Sequence, residues 1–148
     1  MYIIKKPKPN PELKKLDKLV GVWNVSGETC GQVCFSWMEG GFFLIQYVDL
    51  EGTKGLEFIG YDEVSGTLKS HYFDNDGKVL EYTYKVSETD HIVSINMPGI
   101  TGRFNGKFNN DGTVITGSWQ WKQDGMDLGY KAILTKIDHN PCQKGNDI

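Results

Sequence analysis

The sequence predicts an all-β protein: a single antiparallel up-and-down barrel of about ten strands, preceded by a short N-terminal helix. Three observations carry this. After Gly21 the apolar periodicity changes from the 3.6 of a helix to the 2 of a strand and stays there. Turn signals then recur about every 9–13 residues, the cadence of a β-meander. No intervening segment is long enough to be a helical crossover between parallel strands.

The helix comes first. Pro11-Glu-Leu-Lys-Lys-Leu-Asp-Lys-Leu19 places Leu13, Leu16 and Leu19 on one face, so a helix is expected over residues 11–18. Asn10 can cap it, and Pro11 fits the first helical position, where an N–H would go unused. Gly21 ends it.

Nine turn signals then separate ten candidate strands. They lie around Cys30-Gly, Glu39-Gly-Gly41, Glu51-Gly52, Ser65-Gly66, Asp74-Asn-Asp-Gly77, Glu88-Thr-Asp90, Pro98-Gly99, Asn109-Asn-Asp-Gly112 and Asp124-Gly125. The expected strands are 21–29, 31–38, 41–50, 55–62, 67–73, 78–87, 91–97, 100–108, 113–122 and 126–137. Leu80, Tyr82, Tyr84 and Val86 alternate with Glu81, Thr83 and Lys85, and Trp119 and Trp121 alternate with Ser118, Gln120 and Lys122. Each strand thus has one buried and one wet face. An open sheet of this length would expose two long edges, and closure removes them. Gly60, Gly102, Gly106, Gly117 and Gly129, inside strands, suit the bends of a closed barrel. The second architecture consistent with this pattern is a two-sheet sandwich.

The 148 residues form one domain, with the barrel over about 20–137 and mobile tails at 1–8 and 140–148. A net charge of −3 argues against a nucleic-acid binder, which usually presents a basic face. Neither a secretory signal nor an apolar run of membrane-spanning length is visible, so no membrane partner is expected. With three cysteines, an odd number, the expected compartment is a reducing cytoplasm. Cys142, in the tail, is expected to be a reactive thiol.

The motifs of common enzymes are missing: no Gly-x-Ser-x-Gly, P-loop, dinucleotide fingerprint or His-Glu-x-x-His occurs. Asp74-Asn-Asp-Gly77 lacks the distal glutamate of a calcium loop and reads as a hairpin turn. Cys30 and Cys34 have no second cysteine pair with which to hold a metal. No pair of carboxylates stands in an apolar run where burial would separate two pKa values, so no catalytic residue is expected.

Gly21-Val-Trp23, directly after a short helix, resembles the Gly-x-Trp opening of calycin barrels, the superfamily of lipocalins, fatty-acid-binding proteins and nitrobindins. Other segments resemble a bacterial family of uncharacterised calycin-like domains: Trp37-Met-Glu-Gly-Gly-Phe-Phe-Leu44, Ile59-Gly-Tyr-Asp62, Tyr72-Phe-Asp-Asn75, Phe104-x-Gly-x-Phe108 and Thr116-Gly-Ser-Trp119. The resemblance implies a barrel with an internal cavity, and Trp23 closing one end. In nitrobindins a histidine of the closing strands binds haem. Thr113–Ile137 holds no histidine, so neither haem nor another cofactor is expected.

Extending the alternation inward gives the candidate cavity lining: Trp37, Gln46, Tyr72, Tyr82, Tyr84, Trp119, Trp121 and Tyr130. Gln46 would need a partner there, such as a tyrosine hydroxyl. His71 should point outward, and Arg103 is expected on the surface. An aromatic cavity with few polar groups suits non-catalytic binding of a small apolar or aromatic molecule. Two alternatives stand beside it: an isomerase or cyclase using the barrel as a reaction chamber, and a filled barrel acting through its outer surface. A perturbed carboxylate or histidine facing the cavity would favour the enzyme.

Overall fold

In the computed structural model, which describes residues 5–142, one helix is followed by ten strands. The strands are β1 (Gly21–Gly27), β2 (Gly31–Trp37), β3 (Leu44–Leu50), β4 (Thr53–Asp62), β5 (Thr67–Asp74), β6 (Val79–Val86), β7 (Asp90–Ile95), β8 (Gly102–Phe108), β9 (Val114–Gln123) and β10 (Met126–Asp138). Each pairs antiparallel with its sequence neighbours, and β1 pairs with β10, closing the barrel. All ten expected strands are present, and a sandwich is excluded.

Turn chemistry sets the register. Glu51 and Gly52 have φ of 50° and 89°, and Asp124 and Gly125 have 52° and 74°. Positive φ at both central residues is the mark of the two-residue type I′ hairpin, whose twist matches that of the strands. Leu50 accordingly pairs with Thr53, and Gln123 with Met126. β3 starts at Leu44 rather than residue 41, because Gly40 and Gly41 turn the chain at φ of 99° and 78°. Gly106 and Gly117 face each other across β8 and β9. A Cβ on Gly117 would lie 2.4 Å from the Asn105 carbonyl oxygen, so only glycine permits this approach.

The expected short helix is present, and it is of the tighter 3₁₀ type. Pro11–Leu19 is a 3₁₀ helix, with the Asn10 side chain accepting a hydrogen bond from the Glu12 N–H at 2.9 Å. Its three buried leucines fall every third residue, and three residues per turn align them in one stripe. They enter the core of one barrel end beside Trp23, Phe35, Leu44, Ile59 and Ile115. Trp23 is fully buried there and donates its indole N–H to the Leu19 carbonyl at 2.8 Å, tying plug to barrel. Lys18 reaches the carbonyls of Ser87 and Glu88 at 2.8 and 3.0 Å, and Lys136 reaches that of Lys18 at 3.0 Å.

The tails expected to be mobile lie largely outside the described residues, at 1–4 and 143–148. Cys142 is half-buried rather than an open tail thiol. It lies with Asn140 and Pro141 against the outer face of β2 and β3, where Cys34 and Tyr47 are also buried. No helix among the described residues is long and apolar enough to cross a membrane.

Candidate functional site

The barrel ends are unlike. The helix and its apolar layer fill one. Towards the other lies an interior cavity of about 670 Å³, rimmed by Glu28 and Thr29, by Glu51 and Thr53, and by Asp74 and Lys78. These residues lie in the β1–β2, β3–β4 and β5–β6 connections or at the strand ends beside them, all at the end away from the helix. A groove of about 950 Å³ also crosses the outer face of β7–β10, lined in part by outward-facing Arg103, Gln120 and Lys131. The interior cavity is the candidate site, because there rings and buried polar groups converge.

Seven of the eight sequence-predicted lining residues meet in this cavity: Gln46, Tyr72, Tyr82, Tyr84, Trp119, Trp121 and Tyr130. Trp37 is not among them. It ends β2 at the plugged end and donates its indole N–H to Asp17 of the helix at 2.8 Å. Alternation gave its inward phase, but β2 carries it past the cavity into the helix layer.

The rings form an almost continuous wall. Tyr72 and Tyr82 meet edge to face at 6.3 Å between centroids, Tyr82 and Trp119 at 5.9 Å, and Trp119 and Phe104 at 5.6 Å. His91 continues the arc, 5.9 Å from Phe104 and 5.8 Å from Tyr84. Trp121 and Tyr130 pair nearer the mouth at 5.9 Å. Tyr72 lies over Gly55, where a Cβ would come within 2.5 Å of its ring, and its hydroxyl donates to Asp74 at 3.1 Å.

Glu57 stands within this aromatic wall and is only 2% exposed. Gln46, directly opposite on β3, donates its amide N–H to Oε1. Ser70 on β5 donates to Oε2 at 2.5 Å, and Tyr84 on β6 lies 2.7 Å from both oxygens. Gln46 has the expected tyrosine hydroxyl, that of Tyr84, beside it, and it also has a carboxylate partner that the sequence reading did not foresee. Burial raises the pKa of Glu57, and the hydrogen bonds from Ser70, Tyr84 and Gln46 oppose that rise. Burial and the neighbouring carboxylate push the Tyr84 hydroxyl well above its usual range, and burial foremost raises Tyr72 and Tyr82.

His91, also lining the cavity, is 5% exposed, and its Nδ1 has no hydrogen-bond partner. Burial, with a smaller push from the Lys18 charge, lowers its pKa to about 4, so the ring is neutral at pH 7. His71 points outward as expected and contacts Glu81 at 2.9 Å. Among the described residues no three His, Cys, Asp or Glu side chains group closely enough to hold a metal ion.

The sequence reading missed Glu57 and His91, because it looked for a pair of carboxylates in an apolar run and not for a single one. Leu56-Glu-Phe-Ile59 is such a run, with Glu57 facing in. Because Leu50 pairs with Thr53 across the two-residue turn, Gln46 must pair with Glu57, and both face the same way. Likewise Val86 pairs with His91, and Val86 shares the inward face of Tyr82 and Tyr84.

Fold and site together define a closed ten-stranded antiparallel barrel with a polar cluster inside an aromatic cavity. The architecture is compatible with the calycin-like fold that the sequence resembles. No protein-family model and no curated protein matches the chain.

Proposed function

We propose that this protein is a calycin-like binding protein that holds a small, largely apolar or aromatic molecule inside its barrel without transforming it. The observation that carries the reading is the 670 Å³ cavity itself, walled by Tyr and Trp rings with Gln46, Glu57 and His91 set among them. That volume lies within the ~300–1,000 Å³ usual for small-molecule sites. It supports binding over a barrel filled by its own side chains. The compartment we propose is a reducing cytoplasm, in keeping with the absence of disulfides among the described residues.

Glu57 and His91 favour a second reading, an isomerase or cyclase in which the carboxyl moves a proton within a dry chamber. A buried acid with a raised pKa suits general acid–base work at neutral pH. Titration with an apolar fluorescent probe, followed by product analysis after incubation, separates the two. Saturable binding with a higher melting temperature and no new product supports the carrier. A rearranged product lost in Glu57→Gln supports the enzyme, and absence of any binding contradicts both.

A further inference from the structure

We propose that the molecule held in the cavity is cationic: an organic amine with an aromatic or apolar body, its ammonium group paired with the Glu57 carboxylate. This inference rests on the binding reading and specifies its ligand.

The first ground is charge. Glu57 is 2% exposed, and its three hydrogen-bond partners, Gln46, Ser70 and Tyr84, are all neutral. The ion pairs among the described residues lie elsewhere, at Lys15–Glu12, His71–Glu81, Lys107–Asp90 and Lys122–Asp127. A buried carboxylate without a cation is costly, and pairing it with one recovers much of that cost. The cavity itself supplies no cation beside it. Its ionisable lining is Glu57 with Glu28, Glu51 and Asp74 at the mouth, against Lys78 at the rim and a neutral His91. A cleft of one sign with apolar walls concentrates its field and draws in counter-ions.

The second ground is hydrogen-bond stoichiometry. A carboxylate accepts at about four sites. The hydroxyl of Tyr84 lies 2.7 Å from both oxygens, but its single proton serves one at a time. Three donors therefore leave one acceptor site, and an ammonium N–H suits it. His91, on a ring that lines the cavity and contacts Tyr84, adds a second polar side chain that its neighbours leave incompletely paired, at Nδ1.

The third ground is the wall. Tyr72, Tyr82 and Trp119 surround the cavity with π systems, whose faces attract an organic cation as well as an apolar ring. A carboxylate and several aromatic rings together distinguish an amine from an alcohol of the same shape. A ligand with its own carboxylate would meet repulsion from every acidic group of the cavity.

The test uses three phenylethyl probes that differ in their terminal group: 2-phenylethylamine, 2-phenylethanol and 3-phenylpropionate, titrated calorimetrically into the full chain at pH 7. The expected result is that the amine binds at least about tenfold more tightly than the alcohol, the carboxylate does not bind, and Glu57→Gln abolishes the preference. Equal or tighter binding of the alcohol overturns the cationic ligand and leaves the binding reading standing. Retained preference in folded Glu57→Gln overturns Glu57 as the partner. Failure of all three probes overturns the inference, and failure of the apolar probe as well removes the binding reading. If Glu57→Gln does not fold, Tyr82→Leu serves instead. Removing that ring should weaken the amine more than the alcohol, and equal weakening overturns the inference.

Discussion

Tyr84 on β6 places its hydroxyl 2.7 Å from both carboxylate oxygens of Glu57 on β4, joining two strands that are not neighbours in the sheet. The contact spans β5, which adds Ser70 to the same carboxylate. A polar cluster drawn from four successive strands, β3 to β6, therefore stands inside the cavity.

Tyr84→Phe removes one donor from a buried acceptor and leaves the packing almost unchanged. A hydrogen bond to a charged group is worth ~1.5–3 kcal/mol, so a loss in that range is expected in urea unfolding at neutral pH. Unchanged stability would mean that Gln46 and Ser70 alone satisfy the carboxyl group.

Glu57 and His91 should give opposite pH dependences. The pKa of Glu57 is raised in the fold, so its contribution is fully present below the ordinary glutamate value of 4.5 and is lost as pH rises through the raised value. The pKa of His91 is lowered from 6.5 to about 4, so its contribution is present above 6.5 and is lost as pH falls through 4. A difference of that size is worth roughly 3 kcal/mol. The two slopes oppose each other above pH 4.5, where the window of Glu57 overlaps that of His91. Glu57→Gln should therefore steepen the loss of stability on acidification, and His91→Leu should shift the optimum to lower pH. Exposed carboxylates such as Asp62 and Asp90 titrate alike in all three proteins and cancel in the comparison. Parallel profiles for wild type and both variants would contradict the environments assigned to these residues.

The tryptophans should divide by end of the barrel. Trp119 and Trp121 line the cavity, and Trp37 bonds to Asp17 at the plugged end. An apolar quencher that enters should act fully on Trp37→Phe and lose most of its effect in a Trp119→Phe, Trp121→Phe double variant. Quenching carried by Trp37 would place the ligand elsewhere.

Leu16→Ala tests the plug. Leu16 is fully buried among the apolar side chains of the closed end, so its truncation should cost ~2–5 kcal/mol in thermal or urea unfolding. Probe affinity of the folded variant should change little, because Leu16 does not line the cavity. A negligible stability loss would show that the helix merely flanks the barrel.

Strand number, strand order and the inward phase of most strands were legible in the sequence because alternation and turn residues act locally. Glu51-Gly52 and Asp124-Gly125 fix their hairpins through backbone conformation alone. The polar cluster was harder to see, for a physical reason. On β4 the large apolar side chains Leu56 and Phe58 lie on the outer face, opposite to Glu57. Ile59 and Tyr61 share the face of Glu57, so a rule that points bulk inward leaves the phase of β4 undecided. Only the register passed across Glu51-Gly52 from Gln46 recovers Glu57, and the pairing with Val86 recovers His91. The helix type was hidden differently, since a repeat of three in Leu13, Leu16 and Leu19 is read within the tolerance of an α-helical face. Trp37 shows the limit of phase alone: alternation tells which face a side chain takes, not its depth along the barrel.

Whether the cavity holds a small molecule is read out by non-denaturing mass spectrometry of the protein purified from its native host. The expected species is heavier than the 16.7 kDa chain by one small molecule, released when the protein is unfolded. The released molecule is further expected to carry a basic nitrogen. The bare chain alone, from a preparation that also fails to bind any apolar or amine probe, would contradict the proposed binding.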